Sequence, residues 1–373
     1  MRRRAGNVDY VLLAMMLSIV AIGFVVLTSA SGPVAVQRYG DVFLLVKRQA
    51  LFGLLPGLFL MLILSHVDIR PLRRYFGWFM AAAVLLLVSV FIPGIAADWG
   101  TSRSWIGIGG FSFQPIEVVK LMVIFAFAGW FVRVGGRGLQ DWRLGLVPFL
   151  SGLGILCGLI IKQPDTGGLM VIGLIAVAMY LVAGAPWRDM GVIFSLGVLG
   201  IYAVIKSAPY RFDRFMTFLH PELDPQGIGY HINQAYLAIG SGGLLGLGLG
   251  HSRQKYLYLP EVAGDSIIAI MAEELGFIAL LLFLLLYLAF CWRGLSLVKR
   301  VSDDFSRYVA VGLMAWIGGQ AILNIGSMVG LMPMTGLPLP FVSHGGSALM
   351  MTLAAMGIML SISRRADAVK KRK

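Results

Sequence analysis

Leu259-Pro-Glu-Val-Ala-Gly-Asp265 runs straight into Ser266-Ile-Ile-Ala-Ile-Met-Ala-Glu-Glu-Leu-Gly276 and then into an unbroken apolar run from Phe277 to Trp292. The run from 266 to 292 exceeds the roughly 20 residues that cross hydrocarbon, and a helix is the open-chain structure that satisfies its own backbone there. Upstream, from Lys206 to about Leu275, lies the one long interval where the apolar pattern breaks. It holds Arg211, Asp213, Arg214, His220, Glu222, Asp224 and a Gly-rich stretch from Gly240 to Gly250. The polar interval, with Asp265 at its edge, reads as the chemistry, and the rest as membrane scaffold.

The 373 residues are 58% hydrophobic and 13% charged, with mean hydropathy +0.84; a soluble domain carries about 25% charged residues. The net charge of +13 reflects the Lys and Arg that collect in cytoplasmic loops, and no aromatic-interleaved basic segment points to nucleic acid. Ten apolar runs are marked: 10–30, 44–64, 76–96, 114–132, 144–162, 166–184, 189–206, 266–292, 308–331 and 345–362. The first is too long for a signal peptide and reads as a retained span. The expected fold is an all-α polytopic membrane protein of about ten transmembrane helices, residues 1–373 forming one domain. An even span count puts both termini on one side, and both are basic, which makes them cytoplasmic. Residues 206–265 then form a large extracytoplasmic loop between helices 7 and 8, and 364–373 a basic cytoplasmic tail. Cys157 and Cys291 lie within apolar runs and read as small core hydrophobes.

With that topology Lys47, Arg48, Arg103, Lys162, Lys206, Arg211, Arg214, Arg253 and Lys255 fall outside, against the positive-inside tendency. Some are expected to pair with Asp41, Asp98, Asp165, Asp213 or Glu222. Together they suggest a pocket for a phosphate or pyrophosphate at the lipid interface. Glu117 and Lys120, three apart on one face, can neutralise each other. Glu273 and Glu274 point about 100° apart on a helix, so the expectation is that they do not share a partner.

Gly240–Gly250 is too Gly-rich for a span and reads as re-entrant or interfacial; no Gly-Lys-Ser/Thr makes it a phosphate loop, and Gly242 and Gly246 fit close packing. Tyr210 to Pro225 reads as a short structured loop. For Asp265 three roles stand open: general base, ligand of a divalent cation (Mg or Mn), or helix N-cap. No other cofactor is implied. The loop from Gly330 to Ser347 carries three prolines and the polar groups Ser343, His344 and Ser347. No Gly-x-Ser-x-Gly elbow surrounds its serines, which speaks against a hydrolase.

Several pieces, in order, resemble the SEDS family (shape, elongation, division and sporulation), the FtsW/RodA group. They include Gln114-Pro-Ile-Glu-Val-Val-Lys120, Gln163-Pro-Asp-Thr-Gly167, Arg214-Phe-Met-Thr-Phe-Leu-His-Pro-Glu-Leu-Asp-Pro225 and Gly229-Tyr-His-Ile-Asn-Gln234. Gln254-Lys-Tyr-Leu-Tyr-Leu-Pro-Glu261, Asp265 with Glu273-Glu274-Leu-Gly276, Asn324-Ile-Gly326 and Gly336-Leu-Pro-Leu-Pro-Phe-Val-Ser-His-Gly-Gly-Ser347 follow. The wording at 254–261 is closer to FtsW than to RodA. Four positions depart from the family pattern: Ser266 after the aspartate where Phe is usual, Gly264 for Thr, His231 for Gln, and His344 for Tyr.

The resemblance implies a peptidoglycan glycosyltransferase that polymerises lipid II at the outer face of the bacterial cytoplasmic membrane, in division or elongation. The residues themselves supply parts for this: Asp265 as the catalytic group, deprotonating the acceptor hydroxyl or binding a metal, and outer cations, Arg48, Lys162 and Arg214 favoured, to stabilise charge on the pyrophosphate. The matched pieces add Gln234, Lys255, Glu261, Ser343 and His344 to the substrate-binding candidates. Implied partners are a class B penicillin-binding protein and other divisome or elongasome proteins. The competing readings are a lipid II flippase, which would place function on Glu117, Lys120, Glu273 and Glu274, and a non-catalytic scaffold.

Overall fold

The computed structural model describes residues 6–92, 104–108, 111–206, 209–220 and 227–370. In order, the helices are α1 (Tyr10–Tyr39), α2 (Leu44–Leu64), α3 (Arg70–Ser89), α4 (Pro115–Leu139), α5 (Leu146–Lys162) and α6 (Thr166–Val182). Then come α7 (Trp187–Lys206), α8 (Pro209–Leu219), α9 (Ile228–Ser241), α10 (Ile267–Val298), α11 (Asp304–Met328) and α12 (Gly346–Lys370). A two-stranded antiparallel hairpin, β1 (Ile106–Ile108) with β2 (Phe111–Phe113), precedes α4. Each apolar run of the sequence lies largely within one of these helices. Eight of these helices are long and apolar enough to cross a membrane, and α5 and α6 are apolar helices of 17 residues each. The stretch from Tyr210 is helical as far as Leu219 rather than a loop. Pro209 can open a helix, and Phe212, Phe215, Met216 and Leu219 recur at helical spacing along it.

Short acidic caps start the helices. Asp9 accepts from Leu12 N at 3.0 Å, Asp165 from Gly168 N at 2.7 Å and Asp303 from Ser306 N at 2.9 Å, each satisfying an N–H that the helix itself leaves orphaned. Burial sorts the bundle into layers. The apolar windows of α4, α11 and α12 are 72%, 78% and 83% buried, whereas those of α3 and α7 are 11% buried. The first three form the centre, and α3 and α7 turn apolar side chains such as Leu85, Phe194 and Ile201 outward, as a lipid-facing helix does. α2 and α12 approach backbone to backbone: a Cβ at Gly357 would come within 2.6 Å of Met61 O, and one at Gly57 within 2.7 Å of Leu353.

The two ends of the described chain meet. Gly6 N donates to Arg364 O and Asp9 N to Ser363 Oγ, both at 3.1 Å. Asp9 also accepts from Arg293, far along α10 from Asp265, so Asp265 lies at the opposite end of the bundle. α10 itself is broken at Gly276 (φ 78°, ψ 174°). The Gly-rich stretch fills the break. Leu247 N and Gly248 N donate to the carbonyls of Glu273 and Glu274 at 3.0 and 2.9 Å, and Phe277 N and Ile278 N donate to Gly243 O and Leu244 O. The approach is close enough to exclude side chains: a Cβ at Gly242 would sit 2.1 Å from Ala272 O, and one at Gly246 2.3 Å from Glu274 O.

Candidate active site

Asp265 is presented by a tight turn. Gly264 N and Ser266 N both donate to Glu261 O, at 2.8 and 3.3 Å. Leu257 (φ 70°) and Glu261 (φ 48°) hold left-handed backbone beside it, a conformation that costs a non-glycine residue roughly 1–3 kcal/mol and that collects at working sites. Asp265 is 8% exposed. Its carboxylate Oδ1 lies 3.3 Å from Ser266 Oγ, and its backbone carbonyl accepts from Asn324 Nδ2 at 2.8 Å. The N-cap reading does not hold: the cap position of α10 belongs to Ser266.

Three buried amides pin the Pro-rich loop 329–345 against this turn. Asn324 Nδ2 also donates to Leu337 O at 2.7 Å, and Gln320 Nε2 to Pro338 O at 2.8 Å. Gln49 uses both ends of its amide, donating to Ser343 O at 3.1 Å and accepting from Gly345 N at 2.9 Å. It stands directly before a π-helical turn, Ala50–Leu54, the kind of irregularity that often marks functional segments. His344 N then donates to Ala263 O at 2.7 Å, two residues from Asp265. Gln49 and Gln320 were not among the sequence candidates. The available signal was a polar amide inside an apolar run.

The predicted site residues fall into distinct groups. Arg48 is exposed, its guanidinium 5.0 Å from the Tyr39 ring, and Lys162 is exposed at the C-terminus of α5. Neither makes an ion pair among the described residues. His344 is half-buried, and burial together with the nearby Arg48 charge holds its imidazole below the usual histidine range. Ser343 is spent on structure, its Oγ accepting from Leu339 N at 2.8 Å. Gln234 is half-buried on α9, and Glu261 is exposed. Arg103, Asp98 and Glu222, and the side chains of Arg211 and Arg214, lie outside the described residues. Lys47 pairs with Asp41 at 2.8 Å, which draws the Asp41 carboxyl below its usual range.

Two expectations change. Lys255 is not presented to a ligand: it is 3% exposed, with its ammonium 2.7 Å from Glu274 and 3.0 Å from Ser29 Oγ. Glu273 and Glu274 do share a partner. Glu273 accepts from Ser252 Oγ, Arg253 N and Gln254 N, while Glu274 accepts from Ser252 N, Lys255 and Ser29 Oγ. The helix stops two residues later at Gly276, so segment 252–255 wraps around its end and meets both carboxylates. Glu117 and Lys120 pair as expected, at 2.7 Å, and Lys120 also donates to Gln320 Oε1 at 2.9 Å. That carries the pair to Pro338 of the pinned loop. Cys157 and Cys291 are free thiols. Among the described residues no three His, Cys, Asp or Glu side chains converge. A Mg or Mn ion at Asp265 finds no ready ligand set among the described residues.

A buried carboxylate held by its backbone, at an end of the bundle that also carries exposed cations, is suited to taking a proton beside an anionic ligand. Comparison with known proteins bears on which ligand. The model of the cell cycle protein family FtsW/RodA/SpoVE matches residues 9–368. The chain belongs to that family. Stage V sporulation protein E of Bacillus subtilis is 40% identical over 365 residues, covering 98% of this chain and 99% of its own. A probable peptidoglycan glycosyltransferase FtsW of Geobacter metallireducens is 36% identical over 358 residues, covering 96% and 95%. In structure, a chain solved in a study of polymerization and crosslinking by a peptidoglycan synthase complex superposes with TM-score 0.80 at 29% identity, covering 96% of this chain and 98% of that one. The rod shape determining protein RodA of Thermus thermophilus gives 0.67 at 28% identity, covering 96% and 97%. The FtsW relative is nearer in sequence than the RodA structure, 36% against 28%, in line with the wording at 254–261.

Proposed function

We propose that this family member is a peptidoglycan glycosyltransferase that extends glycan strands from lipid II, with Asp265 as general base. The acceptor's C4 hydroxyl gives its proton to the Asp265 carboxylate as its oxygen bonds to the donor's anomeric carbon. The bond from that carbon to the undecaprenyl pyrophosphate breaks, and the pyrophosphate leaves with the electron pair. Arg48 and Lys162 stabilise the charge that grows on it, as preorganised cations do in a transition state. The observation that carries this reading is the convergence on one end of the bundle of a buried aspartate, the pinned loop with His344, and cations that have no carboxylate partner among the described residues. A class B penicillin-binding protein is the partner this reading calls for, to cross-link the strands.

The flippase alternative asks the buried charges to line a path across the bilayer. Instead Glu117 is paired with Lys120 and Glu274 with Lys255, each nearly closed to solvent, which favours the transferase. The test is polymerisation of labelled lipid II by purified protein, with and without the penicillin-binding partner, for wild type and Asp265→Asn. Strands from wild type and none from the variant are expected. Equal polymer from both removes Asp265 from the mechanism, and none from either returns the question to a flipping assay.

A further inference from the structure

Two of the four positions that depart from the family pattern touch each other. His231, on α9, places its Nε2 2.6 Å from the hydroxyl of Ser266, the residue that follows Asp265. Ser266 is fully buried. Its Oγ also lies 2.9 Å from Pro260 O and 3.3 Å from Asp265 Oδ1. The proton count fixes what this contact can be. A serine hydroxyl has one proton to give, whereas a backbone carbonyl and a carboxylate can only accept. With both of these acceptors beside it, the hydroxyl proton belongs to one of them, and the short contact to His231 is made by the imidazole donating Nε2–H to Oγ.

We infer that His231 is a positioning residue for Asp265, acting through Ser266. Donation from the imidazole keeps the serine proton from turning toward His231 and leaves it to the two acceptors on the other side, the Pro260 carbonyl at 2.9 Å and the Asp265 carboxylate at 3.3 Å. When the proton points to Asp265 it restrains the carboxylate torsion from one side, while Asn324 fixes the backbone from the other. α9 and the start of α10 are locked together by the same contact. A phenylalanine at 266, the usual family residue, has no oxygen to receive this donation. The His231–Ser266 couple joins two positions at which this chain departs from the pattern it resembles, and makes a directional contact there. The inference rests on the transferase reading above and concerns how its base is held.

The experiment is steady-state polymerisation of labelled lipid II by the full-length protein with its penicillin-binding partner, comparing His231→Leu, His231→Gln, Ser266→Ala and the double variant His231→Leu/Ser266→Ala. A misplaced general base costs turnover rather than binding, so His231→Leu and Ser266→Ala are each expected to lower kcat about tenfold with KM for lipid II within about twofold. His231→Gln, which keeps an N–H donor, is expected to recover most of the loss. The double variant is expected to be no slower than Ser266→Ala alone, because coupled residues fail to add. Wild-type kcat in both single variants, additive losses in the double, or a loss confined to KM would each overturn the couple. Should Ser266→Ala not fold, the contrast of Leu with Gln at 231 decides alone: equal rates overturn the inference. A wild type that makes no polymer at all defeats the transferase reading itself, an outcome distinct from polymerisation that ignores His231.

Discussion

The two ends of the bundle differ in how they handle charge. Where the chain ends meet, the carboxylates pair with arginines: Asp9 with Arg293 at 2.9 Å, Asp304 with Arg307 at 2.7 Å, and Asp68 with both Arg70 and Arg365. At the Asp265 end the pairing is partial: Lys47 meets Asp41 at 2.8 Å and Lys255 meets Glu274 at 2.7 Å. Arg48 and Lys162 stand exposed without a carboxylate among the described residues, and Glu273 is bonded to a hydroxyl and backbone N–H groups. Matched charges cancel locally and exert little field. Unmatched ones leave a positive surface, which on the transferase reading would attract an anion and orient it beside Asp265.

The strongest challenge to that contrast is Asp265→Asn. It leaves the charge layout of the bundle nearly intact and should lower polymerisation by about 10²- to 10⁴-fold, the usual worth of a general base, with an unchanged melting midpoint in detergent. Next comes the buried pair at the end of the first half of α10. Glu274→Leu strands the Lys255 ammonium and should cost about 3–5 kcal/mol in thermal stability, whereas the double change with Lys255→Met should cost far less. Equal losses would mean the pair is not the closed unit described here. Gly276→Ala forces a Cβ to within 2.2 Å of Gly246 N at a φ of 78°, and a loss of about 2–4 kcal/mol in the same melt is expected. Arg48→Ala and Lys162→Ala should each cut polymerisation about tenfold with stability unchanged; if they behave like Arg307→Ala at the other end, with no change in rate, the charge contrast has no functional meaning.

The smallest effect separates the two ends by pH. His344 is held below its usual range by burial and Arg48, and Asp68 well below its own by Arg70 and Arg365. A depressed pKa means that the unfolded state binds the proton more readily, so both lose stability as pH falls, but in different windows. The His344 contribution is present above about 6.5 and fades below it; that of Asp68 is present above about 3.9 and fades only in stronger acid. Melting curves of His344→Tyr and Asp68→Asn against pH should each flatten one window and spare the other. The Asp68 effect should stay under about 1 kcal/mol, as partly exposed pairs do, and that of His344 should be of similar size.

Much of this was legible in the sequence because a bilayer leaves few options. Apolar runs of sufficient length had to be helices, and Glu117 and Lys120 had to meet at a spacing of three. Asp265 stood out as the charge where loop turns into span. What could not be read is what depends on chain folding back on itself. The angle between Glu273 and Glu274 was correct for an isolated helix and misleading for one that ends at Gly276 inside a wrapping loop. Lys255 looked like one more outer cation until the segment around it was seen to close on Glu274. Gln49 acquires its role through residues nearly three hundred positions away, a distance over which no local pattern speaks.

The interlock at Gly276 also constrains how the protein is made. Leu247 and Gly248 find their acceptors on Glu273 and Glu274, which leave the ribosome later. At about 5–20 residues per second, that gap lasts on the order of seconds. Throughout it the Gly-rich stretch has emerged with its amides unanswered, and bare amides do not persist in hydrocarbon. The stretch must therefore wait in water or at the headgroups and enter its berth only once the following span has arrived. Order of synthesis, as much as final geometry, then governs how this segment reaches its berth.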